Sequence, residues 1–219
     1  EPLIFEHAEY QLITHPVPSS GGMTIAQTLG LLNIPVLKRL GYHSAQAISM
    51  VTEAQRLAFA DRNYWLGDPA FFEVPVKRLL ARDYIEQRRR LLPPPGVAGK
   101  SAGVAHGPVE SDETTHFTVA DRWGNVVSAT VTLGHGFGSA VFVEDAGIWL
   151  NNSMAYSTYE PKGNPMDATP GNRKHSSKSP TIIMKDGRPW AAIGSPGGHT
   201  IPQTVAQLAI NLIDFQMDV

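Results

Sequence analysis

The sequence has 219 residues, enough for one sizeable core or two small ones. Its 18 Lys and Arg against 20 Asp and Glu give a formal charge of −2, which leaves no basic footprint for nucleic acid and no polybasic patch for a membrane surface. Cysteine is absent, excluding disulfide scaffolds, thiol nucleophiles and thiolate metal sites, and no apolar run approaches the roughly 18 residues of a spanning helix. Charged residues make up 17% of the chain, below the roughly 25% of ordinary soluble domains, so much of it is expected to face other protein. It opens Glu1-Pro2-Leu3 without Met or a signal-type region and reads as a piece of a longer product.

The class expected is α+β, with a helical N-terminal half followed by a half rich in β-hairpins. A short strand at 10–13 leads into Pro16-Val17-Pro18-Ser19-Ser20-Gly21-Gly22, which is turn chemistry. Ile25, Leu29, Leu32 and Leu37 recur at near-helical spacing over 23–40, and Pro35 kinks or divides that helix. Ser44 is placed to cap a helix over 45–60 with an apolar stripe of Ile48, Val51, Ala54, Leu57 and Ala58. A third helix is predicted over 76–91, with Arg88-Arg89-Arg90 as its solvated end, where cations suit the macrodipole. Pro93-Pro94-Pro95 stops it, and residues 93–113, rich in Gly, Pro, Ser and Ala, read as an exposed linker and the main boundary of the chain. The organisation expected is therefore 1–92, the linker 93–113, and a β/α part over 114–219.

Beyond the linker, strands are predicted at 115–121 and 126–133, joined by the turn Asp121-Arg122-Trp123-Gly124-Asn125 into a hairpin. Shorter strands follow at 140–143, 181–184 and 190–193, the last two flanking Lys185-Asp186-Gly187. Val205, Leu208, Ala209, Leu212 and Ile213 give 201–215 the pattern of a helix packed on the sheet.

The eight histidines include no His-x-x-x-His pair and read as surface or hydrogen-bonding residues. Gly194-Ser195-Pro196-Gly197-Gly198 lacks the Lys-Ser/Thr of a phosphate loop. Glu113-Thr114-Thr115-His116 sits where an exposed linker meets a hairpin. Cleavage of the Glu113–Thr114 bond would free an α-amine beside the Thr114 hydroxyl, and an amine of pKa roughly 7.7–8.0 serves as a general base. Thr132, on the partner strand, is placed to orient that hydroxyl. On pattern alone the plainer reading of Thr114 is a structural strand threonine. Gly197-Gly198 before a helix reads either as an oxyanion hole or as a turn needing positive φ. Ser176-Ser177 reads as a carboxylate-binding pair or as an ordinary polar turn.

Taken together, these residues resemble the γ-glutamyltransferase family of N-terminal nucleophile hydrolases. Pro18-Ser19-Ser20-Gly21-Gly22, Ala58-Phe59-Ala60-Asp61-Arg62 and Leu66-Gly67-Asp68-Pro69 look like the late part of the family's large subunit. Thr114-Thr115-His116-Phe117, Asp121, Gly124-Asn125, Leu150-Asn151-Asn152, Ser176-Ser177 with Ser179-Pro180-Thr181, and Gly194 to Gly198 look like its small subunit, in the same order. The resemblance implies part of an αββα sandwich, made by self-cleavage between Glu113 and Thr114. It implies Thr114 as nucleophile, Thr132 as its hydrogen-bonding partner, the amides of Gly197 and Gly198 as the oxyanion hole, and Ser176 and Ser177 as the pair holding the substrate's α-carboxylate. The reaction implied attacks a γ-glutamyl amide and passes the acyl group to water or an amine, with no metal or organic cofactor. The partners implied are a small amide or peptide substrate and a further large-subunit segment of the same protein, carrying a substrate-clamping Arg; an oligomer of processed subunits is compatible with this, and nucleic acid is not a partner. The resemblance favours a periplasmic or extracellular setting, with a cytoplasmic one compatible.

Three positions depart from the family pattern. Where the family holds the α-amino group with an Asn, a Gln or Glu, and an Asp, this sequence has Gly134, Ser153 and Tyr156. Each lost charged hydrogen bond costs on the order of 1.5–3 kcal/mol. An acyl group that keeps a carboxylate but lacks the amine, as in glutaryl or oxamate-type amides, fits what remains. An unprocessed, catalytically silent segment is the rival from another class.

Overall fold

The first two strands form a hairpin that the sequence half conceals. In the computed structural model, which describes residues 1–97, 113–160 and 162–218, β1 (Leu3–His7) pairs antiparallel with β2 (Tyr10–Thr14). The two-residue turn between them puts Ala8 at φ 53 without Gly or Asn to announce it. In β2, residues 10, 12 and 14 are buried and 11 and 13 half-buried, the alternation of a strand with one face on the core.

The predicted 23–40 helix is two helices. α1 (Gly21–Leu31) ends at Leu32, and α2 (Ile34–Leu40) restarts with Asn33 accepting from Val36 N and Pro35 in its first turn, where a missing N–H costs nothing. Ser44 caps α3 (Ala45–Trp65) through Ala47 N, and the helix runs a full turn beyond the stretch predicted. The 76–91 helix is broken into α4 (Val76–Leu79) and α5 (Arg82–Arg89), with Ala81 extended between them. The reading of Arg88-Arg89-Arg90 as a solvated end is corrected. Arg88 pairs with buried Asp61 at 2.9 Å and Arg89 donates to the carbonyls of Gly30 and Leu31, so both fasten α5 to its neighbours while Arg90 is exposed.

β3 (Thr115–Ala120) and β4 (Val126–Val131) form the expected hairpin, followed by the short pair β5 (Phe142–Val143) and β6 (Ile148–Trp149). β7 (Thr181–Lys185) and β8 (Arg188–Ile193) pair with each other, and β7 also pairs with β2, giving one antiparallel sheet in the order β1-β2-β7-β8. α6 (Ile201–Ala209) continues into a wider turn over Ile210–Asp214. α1, packed against α3 and α6, covers the sheet, and the core joins Leu12 and Ile183 to Ile25, Leu29, Val205 and Ile213. Strands and helices from both sides of residues 93–113 share one sheet and one apolar cluster. Residues 98–112 of that linker lie outside the described residues.

Candidate active site

Thr114 stands at the mouth end of the β3–β4 hairpin. Asp121 closes the far end, its carboxylate accepting from the backbone of Trp123 and Asn125 at 2.9 Å, with Gly124 at φ +87. The last ladder pair is Thr115 with Val131, so Thr114 and Thr132 are the next residues beyond it, and both line one small cleft. Thr115 is exposed whereas Thr114 is buried. His116 anchors the strand behind Thr114: its Nδ1 lies 2.9 Å from Thr130 Oγ1, and its ring fills the space over Gly194, where an added Cβ would fall 2.1 Å from the ring. Ser128 Oγ donates to Ile193 O at 3.0 Å and ties β4 to β8.

The opposite wall is the segment Lys174 to Lys178, and three motifs of the N-terminal half hold it. Ser20 donates to Ser176 O through both its N–H (2.8 Å) and its hydroxyl (2.9 Å), and Ser19 Oγ donates to Lys178 O at 2.6 Å. Gly21 has no room for a side chain, since a Cβ would lie 2.5 Å from Ser177 O; close approach requires glycine there. Buried Asp68 accepts from Arg173 N at 2.7 Å and from its guanidinium at 2.6 Å, which holds the Asp68 carboxyl well below the usual carboxylate range. Beneath the wall, Arg62 from the end of α3 donates to Ser20 Oγ (3.0 Å), Ser177 Oγ (3.3 Å) and His199 Nδ1 (3.0 Å).

Of the residues singled out by sequence, Thr114, Thr132, Tyr156, Ser176, Ser177 and Gly198 line this cleft together. Gly197 and Gly198 have φ of +118 and +55, and Thr200 donates to Gly197 O through its N–H (3.0 Å) and Oγ1 (2.7 Å), so the turn into α6 is held in a conformation glycine allows. Thr132 Oγ1 accepts from Gly134 N at 3.0 Å. Gly134 and Ser153 are not among the lining residues. Gly134 is at φ +97, and a Cβ there would fall 2.0 Å from Asn152 Oδ1, which accepts from His135 N. Ser153 is buried, its N–H given to Asn151 Oδ1. Glu113 is exposed, with its carboxylate lying over Gly136.

Sequence reasoning missed the basic lining: Lys174, His175, Lys178 and His199, with Arg62 behind them. No Asp or Glu is among the described lining residues. Burial lowers Lys174 to about 8 and Arg62 to about 10, leaving both charged at neutral pH. Burial, then the Arg62 charge, lowers His199 to about 4 and holds His175 well below its usual value, so both rings are neutral. The only early sign was position, with His199 following Gly197-Gly198 and His175 preceding Ser176.

The histidines predict an acid response. In the unfolded chain each takes a proton near pH 6.5, and in the folded chain only at lower pH, so the unfolded state binds more protons below that value. Stability is expected to be full above about pH 6.5 and to fall as pH drops towards 4, with a slope approaching about one proton for each histidine. Urea midpoints measured from pH 7 to 4.5 check this, and His175→Gln should flatten the slope.

The family profile described as Gamma-glutamyltranspeptidase matches residues 1–219. The chain is 37% identical over 230 residues to the glutathione hydrolase proenzyme of Escherichia coli strain K12, covering 100% of this chain and 40% of that protein. It is 39% identical over 217 residues to the acylase ACY 1 proenzyme of Pseudomonas sp. strain SE83, covering 99% of this chain and 38% of that protein. The cephalosporin acylase of Bacillus halodurans superposes with a TM-score of 0.78 at 25% identity, over 100% of this chain and 38% of that one. The chain thus spans about two fifths of the length of these relatives. With its family profile matched end to end, the chain belongs to the γ-glutamyltranspeptidase family.

Proposed function

We propose that this chain carries the catalytic cleft of a self-cleaving threonine amidohydrolase whose acyl donor bears a carboxylate and lacks an α-amino group. In this reading residues 1–92 are the late large subunit, 93–113 the processing linker, and 114–219 the start of the small subunit. The whole protein completes an αββα sandwich around them. Exposed apolar residues on the hairpin, Phe117, Val119, Val127 and Val131, support further protein packing there.

After cleavage between Glu113 and Thr114, the freed amine takes the proton of the Thr114 hydroxyl as its oxygen attacks the amide carbon. The oxyanion is held by the amides of Gly197 and Gly198. The amine then gives the proton to the leaving nitrogen, the C–N bond breaks, and a Thr114 ester remains. Water or an acceptor amine attacks that ester and restores the hydroxyl. Thr132 positions Thr114, and Ser176 and Ser177 take the acyl carboxylate.

The observation that carries the choice of donor is the charge of the cleft: Lys174 and Lys178 line it with no Asp or Glu among the described lining residues, so a carboxylate is attracted and an ammonium repelled. The steric block at Gly134 and the inward burial of Ser153 leave Tyr156 as the remaining side chain of the amine-holding positions. The test compares kcat/KM of the full-length processed protein on glutaryl-p-nitroanilide and γ-glutamyl-p-nitroanilide. The glutaryl substrate is expected to be faster by about tenfold or more, one charged hydrogen-bond equivalent. A preference for the γ-glutamyl substrate would overturn the donor assignment.

A further inference from the structure

Arg62 is a buried cation with no carboxylate paired to it among the described residues. It is 6% exposed, and its hydrogen-bond partners are Ser20 Oγ, Asn63 Oδ1, Ser177 Oγ and His199 Nδ1, all neutral. Its neighbour Asp61 faces the other way, into the helical layer, where Arg88 pairs with it at 2.9 Å and Gln27 donates to it at 3.0 Å. A desolvated charge left unpaired in this way is costly, and it acts on His175 and His199, which line the cleft.

The hydrogen-bond polarity is fixed, because arginine only donates. His199 Nδ1 must accept, so it is the unprotonated nitrogen of a neutral ring. Ser177 Oγ accepts from the same guanidinium nitrogen at 3.3 Å and lies 2.9 Å from Nδ1, to which it donates; because Arg62 also serves Nδ1, a ligand in the cleft can take the Ser177 hydrogen without leaving that nitrogen unpartnered. On the other side, Ser20 Oγ accepts from Arg62 Nε and spends its hydrogen on Ser176 O at 2.9 Å; His175 Nε2, 3.0 Å away, then donates to the same oxygen. One guanidinium thus holds the carbonyl of Ser176 through Ser20 and directs the hydroxyl of Ser177.

We infer that Arg62 is the positioning residue that makes the Ser176-Ser177 turn select an anionic acyl group, acting through Ser20, Ser177 and His199 without touching the substrate. The inference rests on the acyl-transfer reading above and adds the origin of its specificity. A bound carboxylate on Ser177 becomes the counter-charge that Arg62 lacks, one hydroxyl removed. A neutral acyl group of the same size gains nothing from it.

The experiment uses the full-length processed protein and two substrates of equal length, glutaryl-p-nitroanilide and its neutral 4-carbamoylbutyryl analogue. Arg62→Gln is expected to raise KM for the glutaryl substrate by about 10- to 100-fold, the worth of a charged hydrogen bond, with kcat within a few-fold. KM for the neutral analogue should hardly change, so discrimination collapses. Arg62→Lys, which keeps the charge but not the fork of donors, should restore part of it. An equal loss on both substrates, carried by kcat, would reduce Arg62 to a structural support and overturn the inference. If Arg62→Gln does not fold, Arg62→Lys and Ser177→Ala decide: the first should lose part of the discrimination and the second most of it, and full wild-type discrimination in either contradicts the proposal. Failure of the underlying reading looks different, since wild-type protein would then turn over neither anilide or would prefer γ-glutamyl-p-nitroanilide to the glutaryl substrate.

Discussion

Thr114→Ala is expected to lower turnover of the best anilide by roughly 10⁴- to 10⁶-fold, the range seen when a covalent nucleophile is removed and binding is retained. The geometry makes that loss specific to one of two adjacent threonines. Thr114 turns into the cleft beside Ser177 and Gly198, while Thr115 is exposed at the last rung of the ladder. Thr115→Ala should therefore leave activity within a few-fold, and Thr114→Ser should keep a measurable rate because it keeps a hydroxyl next to the new amine. Single-turnover measurements on the three variants check the ordering. Comparable losses at Thr114 and Thr115 would point to damage to the hairpin instead of loss of a nucleophile.

Gly197→Ala carries the second large effect. The residue sits at φ +118, where a side chain is strained, and its Cβ would fall 2.6 Å from Thr200 Oγ1, the hydroxyl that donates to Gly197 O. Relief requires the turn to shift and the Thr200 bond to break, moving the amides of Gly197 and Gly198 together. Displacing an oxyanion donor costs about 10²- to 10³-fold in kcat, with little change in KM if binding lies with the serine pair. Steady-state kinetics separate the two parameters. A rise in KM at constant kcat would assign the glycine turn to binding.

Much of the fold was legible because the signals were local. The β3–β4 hairpin follows from alternation on either side of the Asp121-to-Asn125 turn, and α3 from Ser44 and an apolar stripe. β1 escaped because an edge strand buries little and its turn places Ala8, with no glycine, at positive φ. The break before α5 escaped because Leu80-Ala81 contains neither Gly nor Pro. For the cleft, the hydroxyl and glycine residues were readable as candidates because their chemistry is tied to their type. Its electrostatics were not. Asp61-Arg62 entered only as part of a family motif, with no charge partner readable from sequence, and the two residues diverge by the helical rotation of one position, one towards Arg88 and one towards Ser177. The roles of Ser19, Ser20, Gly21 and Asp68 were hidden for the same reason: their partners, at 173 to 179, lie more than a hundred residues away.

The central claim is that Thr114 is a nucleophile made by cleavage of its own chain. An intact mass spectrum of the full-length protein, wild type beside Thr114→Ala, tests it most directly. The account predicts two pieces from wild type, meeting between Glu113 and Thr114, and one uncut chain from the variant. A single uncut chain in both, or a cut at the same bond in both, would contradict it.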